Sequence, residues 1–324
     1  MINKVTSTEL TTKDFSHWGN HRYFPISQFY KNKFGEKVYK VSVSIAQTCP
    51  SRQKNSRMPL CIFCDEWGSA AYHLERDKPL KEQIIINQAK IAKRYRANKF
   101  LVYFQSYTNT FDRVSELEQR FAIALSQEHI EGIVLGTRPD CLPTRLLPLL
   151  KKSHENNYVM VELGLQSFFD HHLDFLNRGH DVQSGYDAIH KLDQQTGVDI
   201  GIHLMFGLPN ETHDEIIQSA KILNKLPISN VKLHNLHVLS NTPLATLYQE
   251  GKFTPIELDE YIEKVILFLQ YLSPEIAVQR LAAVASRWDE LVAPQWTKEK
   301  MRPTQMIEDR LLALNTYQGQ LFSK

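Results

Sequence analysis

The stretch KVSVSIAQTCPSRQKNSRMPLCIFC, residues 40–64, decides the reading of this chain. Its first seven residues, Lys40–Ala46, are rich in β-branched side chains and read as a strand. A loop follows at once with the spacing C-x11-C-x2-C, carried by Cys49, Cys61 and Cys64. Thiolates bind iron–sulfur clusters and zinc strongly, and two cysteines separated by two residues can wrap one corner of a metal site. A structural zinc site takes a fourth protein donor. The nearest candidates are His73 and the distant Cys141, and neither completes a familiar zinc pairing. Three cysteines on a four-iron cluster would instead leave one iron free for another ligand. Phe63, between the last two cysteines, could pack, shield a cluster or stack near a bound purine.

Beyond the loop, short apolar runs alternate with helical patterns. Strands are expected near Phe100–Gln105, Gly132–Gly136, Tyr158–Leu165, Asp199–Phe206 and Asn230–Val238. Helices are expected near Ile26–Phe34, Pro79–Arg96, Arg113–Gln127, Pro143–His154, Phe168–Leu176, Val182–Thr196 and Thr212–Leu226. Thr212 followed by Glu215 fits a capping box, which fixes the start of the last of these. The repeat of 30 to 40 residues is about the length of a βα unit, and six units imply a doubly wound sheet or a full or partial barrel. From about Asn241 the pattern changes to a strong helix (Ile256–Tyr271), a strand at Ile276–Leu281 and a final helix near Thr304–Asn315. No Gly/Ser/Pro-rich linker precedes this segment, so it reads as an extension.

With 324 residues, 38 Lys+Arg against 36 Asp+Glu and 42% hydrophobic residues, the chain has an ordinary globular composition. The charge balance excludes a strongly basic nucleic-acid sleeve. Basic residues cluster in and before the cysteine loop (Lys31, Lys33, Lys37, Lys40, Arg52, Lys54 and Arg57), with more at Lys93, Arg94, Arg96 and Lys99; such a rim could attract a phosphate backbone, or be a solvated surface in a nearly neutral protein. No apolar run approaches a membrane span and the N-terminus lacks a signal-peptide core, so a cytoplasmic protein is expected. Four cysteines in so long a chain are too few for a disulfide framework.

In a βα barrel, chemistry collects at the C-terminal strand ends. Here those ends carry the cysteine loop, Gln105-Ser106-Tyr107-Thr108, Gly136–Asp140, Glu162–Ser167, His203–Pro209 and His234–His237. Period-2 alternation puts Glu162, Gly164 and Gln166 on one strand face. Glu162 could pair there with Arg138, and His234 and His237 could be core residues or substrate contacts. Cys141 reads as a small buried thiol.

The strings YFQSYTNTF (103–111), GTRPDC (136–141), ELGLQS (162–167), NRGH (177–180), GLPNET (207–212) and VKLHNLHVL (231–239) join the cysteine loop in a recognisable order. In them the sequence resembles the radical SAM superfamily, specifically the YhcC-like group related to the radical SAM domain of the catalytic subunit of Elongator. The resemblance implies an α/β fold, a partial (βα)6 TIM-type barrel over residues 39–240, with an N-terminal extension over 1–38 and a C-terminal extension over 241–324. It implies a [4Fe-4S] cluster on Cys49, Cys61 and Cys64, with S-adenosyl-L-methionine (SAM) chelating the fourth iron. One-electron cleavage of SAM would release a 5′-deoxyadenosyl radical that abstracts hydrogen from a substrate. A one-electron donor such as flavodoxin or ferredoxin is implied as partner, RNA (tRNA in particular) as a candidate substrate, and no membrane.

By position, the resemblance gives SAM contacts to Gln105, Ser106, Gln166 and Arg178, and close backbone approach to adenine at Gly207. Glu162 and His203 fall at neighbouring cofactor-binding positions, and Phe63 at the cluster. The sequence departs from the family at Ser44-Ile45-Ala46-Gln47, which replaces a Gly-Gly turn, and at Gln105-Ser106, which replaces Gly-Gly-Glu. The alternative from a different class is a non-catalytic, zinc- or cluster-stabilised nucleic-acid-binding protein.

Overall fold

The computed structural model describes residues 14–45, 49–52, 60–65, 68, 76–285 and 287–323. Helix α1 (Ile26–Phe34) precedes strand β1 (Val38–Val43), and after the cysteine loop the chain alternates regularly. The order is α2 (Leu80–Tyr95), β2 (Lys99–Phe104), α3 (Val114–Leu125), β3 (Ile130–Thr137), α4 (Leu147–Asn156) and β4 (Tyr158–Gln166). Then come α5 (Asp170–Phe175), α6 (Val182–Thr196), β5 (Asp199–Phe206), α7 (His213–Leu223) and β6 (Asn230–Asn235). The remainder holds β7 (Val238–Leu239), α8 (Pro243–Gln249), α9 (Leu258–Tyr271), β8 (Ala277–Arg280), β9 (Leu291–Ala293) and α10 (Arg302–Ala313).

Six strands pair in sequence order and all in parallel, and β8 adds beside β6 as a seventh. The expected partial α/β barrel is therefore present, with one strand more than the six legible βα units. All nine residues of β4 are buried, as a central parallel strand covered on both faces requires. The outward side chains of the sheet, among them Val102, Phe104, Ile133, Val161, Ile202 and Leu233, pack under Ile84, Phe121, Leu150, Ile189 and Ala220 of the helices. Each large aliphatic buried this way contributes about 1.5–3 kcal/mol. The capping box at α7 is formed: the Thr212 side chain accepts from Glu215 N–H, and the Glu215 carboxylate accepts from Thr212 N–H at 2.8 Å.

The two ends of the barrel differ. At the N-terminal strand ends, Tyr30 and Phe34 of α1 pack on Tyr158, with ring centroids 6.3 and 5.2 Å away, and close the interior together with Leu101, Val134 and Met160. Lys33 pairs there with Asp199 at 2.7 Å, and Lys99 pairs with Glu36 and Glu131. Lys31, Lys37, Lys93, Arg94 and Arg96 border the same strand starts, so these members of the basic set flank the closed pole. Lys40 lies inside the barrel, and Lys54 and Arg57 fall outside the described residues. Among the described residues of that set, Arg52 stays with the cysteine loop, donating to the Cys64 carbonyl at 2.8 Å.

The sixth strand stops at Asn235, three residues before its expected end. Val238–Leu239 turns away to pair antiparallel with Leu291–Ala293. No helix among the described residues is long and apolar enough to cross a membrane.

Candidate active site

At the C-terminal strand ends the barrel opens on a cavity of about 500 Å³, a volume typical of small-molecule sites. Cys49, Cys61 and Cys64 line it together with Phe63, Gln105, Glu162, Gln166, Arg178 and His203. Eleven residues separate Cys49 from Cys61, yet the fold brings all three thiols to one chamber. Main-chain bonds fix the loop: Ile62 N–H donates to the Leu176 carbonyl at 3.1 Å and the Ile62 carbonyl accepts from Leu244 N–H at 3.0 Å. The next residue after the cysteines, Asp65, is buried and meets Arg287 at 3.3 Å. The segment after β8 therefore braces the thiols.

The donor set suits a cluster better than a single ion. Sulfurs around one tetrahedral zinc stand about 3.8 Å apart, given a Zn–S bond near 2.3 Å. Among the described residues these three thiols do not gather their sulfurs within 4.8 Å of one another. Cys141 Sγ is 3.8 Å from its neighbour Asp140, and burial pushes its thiol up to about 12. Burial also pushes the Cys64 thiol up to about 11, despite the Arg52 guanidinium beside it, so deprotonation of Cys64 accompanies metal binding. His73 lies outside the described residues.

Arg178 ties the cysteine loop to β4. Its Nη1 donates to Cys61 Sγ at 3.4 Å, its Nη2 donates to the Gly164 carbonyl at 2.8 Å, and its buried Nε has no partner among the described residues. A Cβ on Gly164 would come within 2.9 Å of the Gln166 amide and 3.5 Å of Arg178, so the glycine leaves room for both. Glu162, Gly164 and Gln166 do share the inner face. Arg138 points its Nη1 toward Cys61 at 3.9 Å but forms its ion pair with Asp140 at 2.8 Å. The Glu162–Arg138 pair that the sequence left open is not formed.

Glu162 is instead the centre of a buried network. Its carboxylate accepts from Lys40, from Lys232 at 3.4 Å and from the Gln279 amide at 2.9 Å, and meets His203 Nε2 at 2.8 Å. Burial alone would raise this carboxyl, but the Lys232 and Lys40 ammoniums and His203 hold it well below its usual range. Burial and the nearby Lys232 charge bring the His203 imidazole down to about 4, so it is neutral at pH 7. Lys232 is brought down to about 7, first by burial.

Two expected contacts do not face the chamber. Ser106 is fully buried, with its hydroxyl 2.5 Å from that of Ser44. Gly207 has φ +82°, and a Cβ there would meet Ile256 Cγ2 at 2.5 Å. Sequence reading missed Lys232 and Arg280, gave Asn235 a place at the strand ends without a role, and placed Lys40 on a basic rim; all four line the cavity or join its network. A signal for Lys232 was present: in NVKLHN (230–235), alternation sets Asn230, Lys232 and His234 on one face against Val231 and Leu233.

The sequence matches the Radical SAM superfamily over residues 43–223 and the Radical_SAM C-terminal domain over 228–313. It is 34% identical to protein YhcC of Escherichia coli over 289 residues, covering 89% of this chain and 91% of that one. A shorter match, 28% over 166 residues, joins half of this chain to 30% of a tRNA uridine(34) acetyltransferase of Methanocaldococcus jannaschii. Among solved structures, the archaeal Methanocaldococcus infernus Elp3 superposes with a TM-score of 0.66 at 17% identity. That superposition covers 87% of this chain and 64% of the other, so the likeness is one of fold.

Proposed function

The chain belongs to the radical SAM superfamily, and from that premise we propose that it is an enzyme holding a [4Fe-4S] cluster on Cys49, Cys61 and Cys64, with SAM in the adjoining cavity. The observation that carries the proposal is the convergence of three thiols from one loop on a chamber whose facing residue, Arg178, touches Cys61 and, among the described residues, keeps Nε unpaired. When bound, the cluster and SAM supply a 5′-deoxyadenosyl radical by one-electron cleavage of the sulfonium.

The protein's own residues bind and orient. Arg178 offers charge to the thiolate sulfurs and a free N–H to a carboxylate, and the Gln166 amide lies beside it. Gln105 and Phe63 line the same chamber, the ring suited to cover an adenine or shield sulfur from water. His203 and Glu162 face the chamber from the floor, where they set the charge. Residues 39–240 form the catalytic unit in this reading, with 1–38 and 241–324 as extensions. A low-potential donor of the flavodoxin or ferredoxin class would supply the electron, and free thiols suit a reducing cytoplasm.

RNA as substrate is supported by the likeness to a tRNA uridine(34) acetyltransferase, which matches half of this chain. Lys33 and Lys99, by contrast, pair at the opposite pole of the barrel and lend RNA no support. The test is anaerobic reconstitution followed by dithionite and SAM. A brown protein with about four irons that releases 5′-deoxyadenosine, and a Cys61→Ala protein that does not, are the expected results. A colourless zinc protein would favour the binding alternative, as would cluster formation without SAM cleavage.

A further inference from the structure

We propose that the β5–β6–β8 wall of the cavity is an oxyanion site, in which Arg280, Lys232 and the Asn235 amide receive a carboxylate or phosphate borne by the substrate. The inference deepens the reading above and rests on it for the word substrate; the anion site itself rests on the wall's own chemistry.

Charge is the first argument. His203 on β5 stands opposite Lys232 on β6, and Lys232 opposite Arg280 on β8, so these side chains occupy one level of the sheet. Among the described residues, the interior at this level holds Lys40, Arg280 and Lys232, the last partly charged at pH 7, against the carboxylate of Glu162. Glu162 already serves both lysines. Arg280 donates through Nε to the Leu233 carbonyl at 3.2 Å and through Nη2 to His234 Nδ1 at 2.8 Å, and among the described residues no carboxylate lies within ion-pair distance of it. The neighbouring groups register the surplus. After burial itself, the Arg280 charge is the largest influence holding the His234 imidazole well below its usual range. Enclosed cations without a counter-charge are costly, and an arriving oxyanion removes that cost. The planar guanidinium fork matches a carboxylate or phosphate edge.

Asn235 supplies the second, independent argument. It is 1% exposed and lines the cavity. Its Oδ1 accepts from Ala283 N–H at 2.6 Å, which fixes the orientation of the amide. Nδ2 is then a buried donor with no partner among the described residues. Buried donors are normally satisfied, so an unpaired one on the same wall as an uncompensated guanidinium calls for an acceptor from outside. Of the other cations that line the chamber, Arg138 is held by Asp140, Arg178 faces Cys61, and Lys300 is exposed.

The test is site-resolved phenylglyoxal labelling of the reconstituted full-length protein, read by mass spectrometry. Millimolar inorganic phosphate and millimolar acetate serve as separate probes, with acetamide as the neutral control and chloride at matched ionic strength. The exposed Arg145 is the internal reference. Arg280 labelling is expected to slow about fivefold or more with one of the two anions while Arg145 is unchanged, as for a charge-assisted contact. Protection by phosphate alone assigns a phosphorylated substrate, and protection by acetate a carboxylated one. Equal protection by acetamide or chloride, protection by neither anion, or failure of Arg280 to label in anion-free buffer overturns the inference. SAM cleavage measured on the same batch reads the enzymatic proposal separately, because labelling of Arg280 requires no turnover.

Discussion

Arg178 reaches Cys61 across the mouth of the barrel, Nη1 to Sγ at 3.4 Å, while its other Nη holds the end of β4 through the Gly164 carbonyl. One side chain thus fixes the distance between the thiol loop and the strand that faces it. A hydrogen bond to a charged group is worth about 1.5–3 kcal/mol, roughly ten- to a hundredfold in an equilibrium constant. Arg178→Lys keeps the charge but loses the two-pronged grip. It is therefore expected to retain iron while SAM affinity falls by about tenfold or more, measured by equilibrium dialysis. Unchanged affinity would remove Arg178 from the site.

Cys141 separates cluster ligation from mere sulfur content. It is buried beside Asp140, with its thiol pushed well up, and the three loop cysteines line the cavity without needing it. Cys141→Ala should keep the full iron and sulfide content and lose only about 1 kcal/mol of stability. Alanine at Cys49, Cys61 or Cys64 should lower iron to background. Loss of iron from the Cys141 variant would make it a fourth ligand and revive the zinc alternative.

Glu162 neutralises two buried ammoniums. Glu162→Gln leaves Lys40 and Lys232 facing one another without a counter-charge, and breaking a buried pair in this way costs about 3–5 kcal/mol. Adding Lys40→Met should recover part of that loss, because one stranded cation goes. Chemical denaturation of the two variants measures both effects. A single-variant loss below about 1 kcal/mol would show that the carboxylate does not carry the charge balance of the barrel.

His172 gives the stability a pH dependence of defined sign. It is 2% exposed, its Nδ1 lies 3.0 Å from Ser167 Oγ, and burial, with His171 alongside, brings it down to about 4. The unfolded imidazole takes up its proton near 6.5, before the folded one does. The stability is therefore complete above pH 6.5 and is lost as pH falls through that value toward 4, by up to about 1.4 kcal/mol per pH unit. His172→Gln lacks this dependence. Between pH 7.5 and 5 the difference in unfolding free energy should move by about 2 kcal/mol in favour of the variant. A difference that stays constant would mean that His172 protonates as readily folded as unfolded.

Local signals made most of the barrel legible. Apolar strand runs, the Thr212–Glu215 cap and the cysteine spacing each announce themselves within a few residues. Non-local pairing did not. Leu236–Leu239 continues the apolar run of β6, but Val238 and Leu239 bond to Leu291–Ala293, whose sequence carries no sign of that partner. The place of β8 beside β6 was hidden for the same reason. The basic residues were misplaced by a different route. Lys31, Lys33, Lys99 and Arg96 precede strand starts, and in a parallel barrel strand starts lie at the pole opposite the chemistry, so direction alone could have corrected them. Among site residues, Arg178 and the cysteines followed from motif resemblance, whereas Arg280 depends on which strand adds last to the sheet.

Gly207 tests whether a glycine in a family motif serves a ligand or the fold. The resemblance assigns it to close approach of adenine. In the structure its φ is +82°, its N–H donates to Glu211 Oε2 at 2.9 Å, and the space beside its Cα is filled by Ile256. An added methyl would combine a left-handed backbone penalty of about 1–2 kcal/mol with overpacking of about 1–3 kcal/mol. Gly207→Ala should therefore lower stability by about 2 kcal/mol or more while the folded fraction binds SAM as before. Adding Ile256→Ala relieves the contact but not the backbone, so it should return only part of the loss. If Gly207→Ala instead keeps its stability and loses SAM affinity, the glycine is there for the ligand, and its contact with Ile256 is incidental.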